Sequence, residues 1–346
     1  MSELVPLVCI CIPTYNAETT IAEMLSSVLA QTYPNFMVIL LDNASTDRTL
    51  AIAKTFNDPR LRIHRNKENI GAVNNFDLCI TMAEGKYTAI LHADEVYEKT
   101  LVEKQVAVLE ESPDVGVVFP EASLIDGSGF SFGETRAAHY VGHRKGETVF
   151  FDFETLFPII LRFGNFLLCS GAMVRTAIYK TEILSWQVNE FGTSVDLDVW
   201  LRILERHKIA LILEKLMRTR TTLTQASYLE LKRNTQRADM FLVLDYYREK
   251  YRKSGMVTHR DIEYYEALQR MDTARRAMNL YLTGCRQETK ELLQHMPRWA
   301  LFRFAFDSKR GLLTFFLVCY LKLMLLPGLN ALGMRFLHYF VIKTRK

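Results

Sequence analysis

The 346-residue sequence predicts an α/β fold with a mostly parallel central sheet, on three observations. Short apolar runs alternate with segments of helical spacing five times between residues 7 and 120. Such alternation calls for parallel strands whose connecting helices cover both faces of the sheet. The runs are apolar throughout, not at every second residue, which marks strands buried on both sides. Polar residues gather where the runs stop, at the strands' carboxyl ends, where sheets of this class bind ligands.

Taken in order, LVCICIP (7–13) is the first strand, stopped by a proline. Residues 17–31 place Ile21, Met24, Leu25, Val28 and Leu29 at helical spacing. FMVILLD (36–42) is the second strand, and Ser45 or Thr46 is positioned to cap a helix starting near Asp47. LRIHR (61–65) is a weaker strand; a helix over 71–84 leads through Gly85 into the strand YTAILHAD (87–94). A helix over 98–112 and the strand VGVVFP (115–120) complete the alternation. Residues 121–165, rich in Gly and aromatics, read as strands and loops flanking a cleft. VDLDVWLRIL (195–204) reads as a helix and 210–216 as one more strand. Helices fill 228–296, with turns at Ser254-Gly255 and Thr283-Gly284. The chain divides into 1–227, a helical part 228–300, and an apolar, basic part 301–346.

A hydrophobic content of 49% is ample for a packed core, so disorder is excluded as the main state. The net charge of +4 is too mild for a nucleic-acid partner. From Arg298 onward, however, nine Lys or Arg stand against one acid, Asp307. In the same stretch residues 311–342 are almost wholly apolar, yet the clean run 311–321 is shorter than the ~20 residues a span needs. This pattern fits helices lying in an anionic membrane surface, the plainer alternative being a buried hairpin. The six cysteines form no CxxC pair or metal spacing and read as free thiols in a reducing compartment. With no basic-then-apolar leader at the start, the expected location is cytoplasmic, peripheral on the inner face of the cell membrane.

The chain has no GxGxxG after its first strand, no phosphate-binding GxxxxGK[ST], no GxSxG and no HExxH. What remains is acids at strand ends. Asp94 and Glu95 end an apolar run and suit a hard divalent cation. The structural alternative has Asp94 capping the next helix and Glu95 facing water. Asp196 and Asp198 open a helix, where the dipole favours acids. Two positions apart, they do not share a face, so one can cap while the other enters a cleft as a general base.

Together, IPTYNAE (12–18), QTYPNF (31–36), LLDNASTDRT (40–49), NIGAVNNFDLCITMAEGKY (69–87), HADE (92–95) and VDLDVWLRIL (195–204) resemble the family 2 glycosyltransferases, inverting enzymes of the GT-A fold. The resemblance covers residues 5–225 and points to the bacterial polysaccharide or O-antigen type. It implies that Thr14 and Asn16, with Tyr15 between them and Pro13 shaping the loop, lie under the nucleotide. Asp42 or Asn43 would meet the base, and Gly71 and Asn74 the ribose and diphosphate. Asp94 would hold the ribose or a Mg or Mn ion, with Glu95 as second metal ligand. Asp196 matches the general base, with Gly171, Asp198 and Trp200 on the acceptor side.

Four positions depart from the family pattern. Asn43 replaces a second acid, although its amide oxygen can accept from a base N–H. His92 opens the metal motif in place of Asp, and imidazole suits Mg poorly. Val195 stands where Glu precedes the base. Arg220 replaces a His near the diphosphate, where Arg218 and Arg220 would neutralise charge directly and weaken any metal requirement. The implied activity is transfer of a hexosyl or N-acetylhexosaminyl group from a nucleoside diphosphate to a glycan or polyprenyl-linked acceptor. The alternatives are a degenerate nucleotide-sugar-binding protein on the same fold, separated by donor turnover, and a nucleotidyltransferase, separated by pyrophosphate release.

Overall fold

Two seven-residue apolar runs, VCICIPT and FMVILLD, form the paired strands β1 (Val8–Thr14) and β2 (Phe36–Asp42) at the heart of the molecule. The structure, a computed structural model, describes residues 5–221, 234–296 and 309–326. The chain divides into two units, Met1–Thr222 and Leu223–Lys346. The expected boundary at 227/228 and most of the basic tail lie outside the described residues.

In the first unit β3 (Leu61–Arg65), β4 (Tyr87–Ile90), β5 (Val96–Tyr97), β6 (Val115–Ile125), β7 (Ser131–Glu134), β8 (Thr148–Phe151), β9 (Met173–Arg175) and β10 (Lys208–Arg220) join β1 and β2 in one sheet. Its order is β3-β2-β1-β4-β9-β6-β10-β5, with β7 beside β6 and β8 beside β10. The pairs β1–β2, β2–β3, β1–β4 and β6–β10 are parallel, and β9 runs antiparallel between the two parallel groups. The chain steps outward from β1 to β3 and returns to the other side of β1 at β4. That reversal opens a crevice at the carboxyl ends of β1, β2 and β4.

Helix α1 (Ile21–Leu29) buries Ile21, Met24, Leu25 and Val28, the face the spacing predicts. It starts later than expected because the Thr20 and Ile21 amides both donate to Ala17 O in a tight turn. α2 (Thr49–Ala53) has no side-chain cap from Ser45 or Thr46. Those hydroxyls are spent on the neighbouring loop, and Asp47 Oδ1 accepts the Thr49 N–H instead. β4 ends at Ile90, before the predicted 94, where its pairing with β1 ends at Cys11. The chain then leaves the sheet through His92–Glu95. β6 and β10 outrun their predicted lengths because they pair with each other from Lys208 to Arg220.

The second unit is helical where it is described, with Met240–Lys250, His259–Leu282, Arg286–Gln294 and Lys309–Met324. The turns at Gly255 and Gly284 fall where predicted, both glycines at positive φ. Thr258 and Asp261 close a reciprocal cap on the long helix. Its core joins Ala274, Ala277 and Tyr281 to Leu293, Val318 and Leu321. Leu312, Leu313, Phe316 and Leu323 of the last helix are exposed. No described helix is long and apolar enough to cross a membrane.

Candidate active site

The loop after β1 is laced to the loop after β2. Asn16 adopts the left-handed conformation (φ 49°), which asparagine tolerates better than most residues. Its N–H donates to Ser45 Oγ at 3.0 Å, and its Oδ1 accepts the Thr46 N–H at 2.9 Å. Thr14 is buried, donates from Oγ1 to Ile12 O, and takes the Asn43 N–H on its carbonyl at 2.8 Å. Half-buried Pro13 precedes it, and Tyr15 stands out into solvent. These residues form one rim of the crevice at the sheet's switch point.

Beneath that rim lies a buried amide cluster. Asn43 Nδ2 donates to Asn69 Oδ1 at 2.8 Å and Gly71 O at 3.3 Å. Its Oδ1 accepts from Asn66 Nδ2 and the Ile70 N–H, both at 3.0 Å. Both lone pairs of the amide oxygen are therefore occupied. The expected contact of the Asn43 side chain with a base gives way to a scaffolding role, holding the 66–71 loop against β2. Asp42 is fully buried. Its Oδ1 accepts the Ser45 N–H at 3.2 Å, while Oδ2 sits 3.4 Å from Arg65 Nε without making a hydrogen bond. Asn74, in the first turn of the helix Ala72–Met82, is exposed and donates to Ile70 O.

Sequence reasoning passed over Asn66 and Asn75. Asn66 Nδ2 reaches Asn75 Oδ1 as well as Asn43, and Asn75 Nδ2 donates to Leu41 O at 3.1 Å. The four asparagines within 66–75 were the available signal, since so many amides beside a strand end suggest mutual pairing. Asn66→Ala orphans Asn75 Oδ1 in a buried setting and is expected to cost about 1–3 kcal/mol. Denaturant unfolding measures this; an unchanged midpoint would remove the cluster from the stabilising framework.

The segment His92–Glu95 is tied down from two directions. Tyr97 Oη accepts the His92 N–H at 2.8 Å and donates to Ser170 O at 2.9 Å. The His92 ring packs edge-on against Phe76 with Nε2 buried and unpaired, and burial holds its pKa below the usual value. Arg220 supplies the second restraint. Its guanidinium donates to Asp94 O at 3.0 Å, to Asp126 O and Gly127 O at 3.3 and 3.4 Å, and to Glu23 Oε2 at 2.7 Å. Arg220 is buried with these donors committed. The expectation that it meets a diphosphate is replaced by a clamp on the Asp94 loop.

Glu95 does not face water, nor does Asp94 cap a helix. Glu95 is 5% exposed and its Oε2 accepts the Arg220 N–H at 2.7 Å. Burial, with the Asp94 charge beside it, pushes its carboxyl up to about 8. A carboxyl that keeps its proton near neutrality is a poor ligand for a hard cation. Among the described residues no three His, Cys, Asp or Glu side chains are grouped to hold a metal. A cation held by Asp94 and Glu95 together would have to displace the Glu95 proton, while Oε2 stays with the Arg220 N–H. Glu95→Gln keeps an oxygen for the Arg220 N–H, so Mn²⁺ affinity, read by the ion's EPR signal, should stay within about twofold. A loss of tenfold or more would restore Glu95 as a ligand.

Asp196 lies in the first turn of the helix Val195–Leu204, the helix predicted for it. Burial raises its carboxyl to about 6, against the Leu197 N–H and Asn165, whose Nδ2 donates to Asp196 Oδ2 at 3.1 Å. Asp198, two residues on, is buried and paired with Arg202 at 2.8 Å. Arg202 also donates to Ile183 O and Ser185 O, so Asp198 braces the helix instead of facing an acceptor. Trp200 is core, edge-on to Phe119 and Trp186. Gly171 is there for close packing, since a Cβ would lie 2.6 Å from Met217 Sδ and 2.7 Å from Pro120 Cγ. The turn before it unites the two acids' surroundings. Ser170 O receives the Tyr97 hydroxyl under the Asp94 loop, while loss of solvent and then the charge of Asp196 raise the neighbouring, partly buried Cys169 thiol.

The comparisons with known proteins bear on the family and the fold. The model of the family described as Glycosyl transferase family 2 matches residues 9–162, from β1 past β8 and ending before Asp196. EpsE of Bacillus subtilis is 31% identical over 203 residues, 58% of this chain and 67% of its own length. WfgD of Escherichia coli, named a UDP-Glc:alpha-D-GlcNAc-diphosphoundecaprenol beta-1,3-glucosyltransferase, is 34% identical over 103 residues, 30% of this chain and 41% of its own. The fold is that of S. aureus TarS 1–349, solved with UDP-GlcNAc (TM-score 0.52, 15% identity, 92% and 90% of the two chains). It is equally that of the mannosyltransferase PcManGT from Pyrobaculum calidifontis, solved with GDP-Man and Mn²⁺ (TM-score 0.53, 15% identity, 92% and 86%). Acids and amides at the carboxyl ends of β1, β2 and β4, on a sheet shared with nucleotide-sugar enzymes and within a sequence match running along two thirds of EpsE, make this chain a glycosyltransferase of family 2 on the GT-A fold.

Proposed function

We propose that the chain inverts one anomeric centre, moving a sugar from a nucleoside diphosphate to a hydroxyl of a lipid-linked glycan in surface-polysaccharide assembly. The observation that carries this is Asp196, a partly buried carboxylate oriented by Asn165, whose charge reaches Cys169 beside the Ser170 turn. The donor's nucleotide lies over Thr14–Asn16 at the carboxyl ends of β1 and β2, with Asn74 at the mouth. Asp94 is the acid for the ribose or for a divalent cation arriving with the donor. The acceptor hydroxyl attacks the anomeric carbon while its proton passes to Asp196, and the nucleoside diphosphate leaves from the opposite face. One displacement with no enzyme nucleophile inverts the centre.

A lipid-linked acceptor is supported by the substrate in the name of WfgD, and a nucleotide-sugar donor by the ligands of TarS and PcManGT. The exposed Leu312, Leu313, Phe316 and Leu323, with Arg310 and Lys322 on the same helix, support a seat on an anionic membrane surface, on the inner face of the cell membrane.

The test is a panel of UDP-Glc, UDP-GlcNAc and GDP-Man, each with and without Mn²⁺. Thermal shift reads binding, and nucleoside diphosphate release is followed with short prenyl-diphosphate glycans. One donor should raise the Tm and release its diphosphate only when a glycan is present. Binding without release across the whole panel would instead establish a binding protein.

A further inference from the structure

We propose that the helical unit holds the phosphate-bearing end of a prenyl chain in a cavity bounded by the helices Met240–Lys250, His259–Leu282 and Lys309–Met324. The inference rests on the reading of a lipid-linked acceptor above and gives that lipid a place on this chain. The cavity measures about 390 Å³, within the range of roughly 300–1,000 Å³ typical of small-molecule sites. Met240, Phe241, Leu268, Met271 and Met278 form its apolar wall.

Protein interiors are close-packed, and an unfilled void forfeits the dispersion contacts of every atom that lines it. A single hydrocarbon chain restores them. Three of the five wall residues named are methionine, whose unbranched, polarizable side chain adapts to a bent, unsaturated chain. Arg310 and Leu313, both exposed and both in the lining, stand at the rim, so the cavity opens at the surface.

The polar part of the lining selects the head of the ligand. Arg275 Nη2 donates to Asp272 Oδ1 at 2.6 Å, while Arg275 Nε is buried and makes no hydrogen bond among the described residues. A buried charged donor left without an acceptor is costly, which favours a ligand that supplies one. Asp272, the one acid among the described lining residues, is already shared between Arg275 and Arg276, the latter at 3.8 Å. The Thr314 hydroxyl donates to Arg310 O at 2.8 Å. The acceptor for Arg275 Nε therefore comes from outside, and Arg310 adds a second guanidinium to the same lining. A phosphate monoester offers the oxygens that guanidinium groups bind best, and its prenyl chain fills the apolar wall.

The experiment is equilibrium dialysis of the full chain with tritiated farnesyl phosphate, competed by unlabelled farnesol, dodecyl phosphate and inorganic phosphate. Farnesyl phosphate should be retained, and each competitor should displace it only at concentrations about tenfold or more above those of unlabelled farnesyl phosphate. Arg275→Gln should weaken retention about tenfold, the loss of one charged hydrogen bond. Leu313→Glu sets an acid at the exposed rim and should weaken it by a similar factor at unchanged Tm. Leu313→Lys, which keeps an apolar stem without the repulsion, should hold wild-type affinity. Four outcomes overturn the site: no retained farnesyl phosphate, farnesol or dodecyl phosphate competing as well as farnesyl phosphate, wild-type affinity in both Arg275→Gln and Leu313→Glu, or equal losses in Leu313→Glu and Leu313→Lys. Retention without transfer to prenyl-diphosphate glycans in the donor panel removes the lipid-linked acceptor and leaves the site standing. Transfer without retention does the reverse.

Discussion

Asp196→Asn is expected to lower kcat by about 10²–10⁴, the usual contribution of a positioned general base. Donor affinity should stay within about twofold, because the residue is placed on the acceptor side. The pH profile gives an independent reading of the same group. A base works in its ionised form, and burial has raised this carboxyl to about 6. The rate should therefore fall as pH drops through about 6 and level off above it. Asn165 donates to the carboxylate and favours the charged form. Asn165→Ala should move the limb to higher pH without abolishing turnover. An Asp196→Asn enzyme turning over at the wild-type rate, or a rate flat across that limb, would remove Asp196 from the chemistry.

Arg220→Ala carries the largest expected effect on stability. The Glu23 contact is discounted, since that carboxylate is half exposed and screened. The greater loss is at the carbonyls of Asp94, Asp126 and Gly127, which surrender a charged donor together. Orphaned polar groups cost about 1–3 kcal/mol each, although Asp126 O keeps another donor, the Gly129 N–H. A total near 3 kcal/mol corresponds to a fall in Tm of about 6–12 °C for a unit of this size. Arg220→Lys keeps the charge but not the fork that reaches three carbonyls, so most of the loss should remain. A direct diphosphate contact has the opposite signature: a raised donor KM at unchanged Tm, largely rescued by lysine. Calorimetry beside donor titration separates the two.

What the sequence determined by itself is the frame. VCICIPT, FMVILLD and YTAI are apolar along their whole length, and strands of that kind can only lie inside a sheet covered on both faces. The alternation with helices then sets the parallel topology and the crevice at β1; the positions of Thr14, Asp42 and Asp94 follow from where the apolar runs stop, and that of Asp196 from where a helix begins. These signals are local, because burial imposes a repeat on neighbouring residues.

Tertiary structure alone decided what each polar group at those ends is committed to. Glu95 reads as a solvent-facing acid or a metal ligand in sequence, whereas one of its oxygens is held by the Arg220 N–H, 125 positions away. Asn43 reads as a base contact until Asn66 and Ile70 fill its lone pairs. Arg220 reads as a diphosphate ligand until it is seen holding three carbonyls from two loops. A hydrogen bond acts over about 3 Å in space and leaves no periodicity along the chain, so an acid kept for chemistry and an acid spent on the scaffold look the same in sequence.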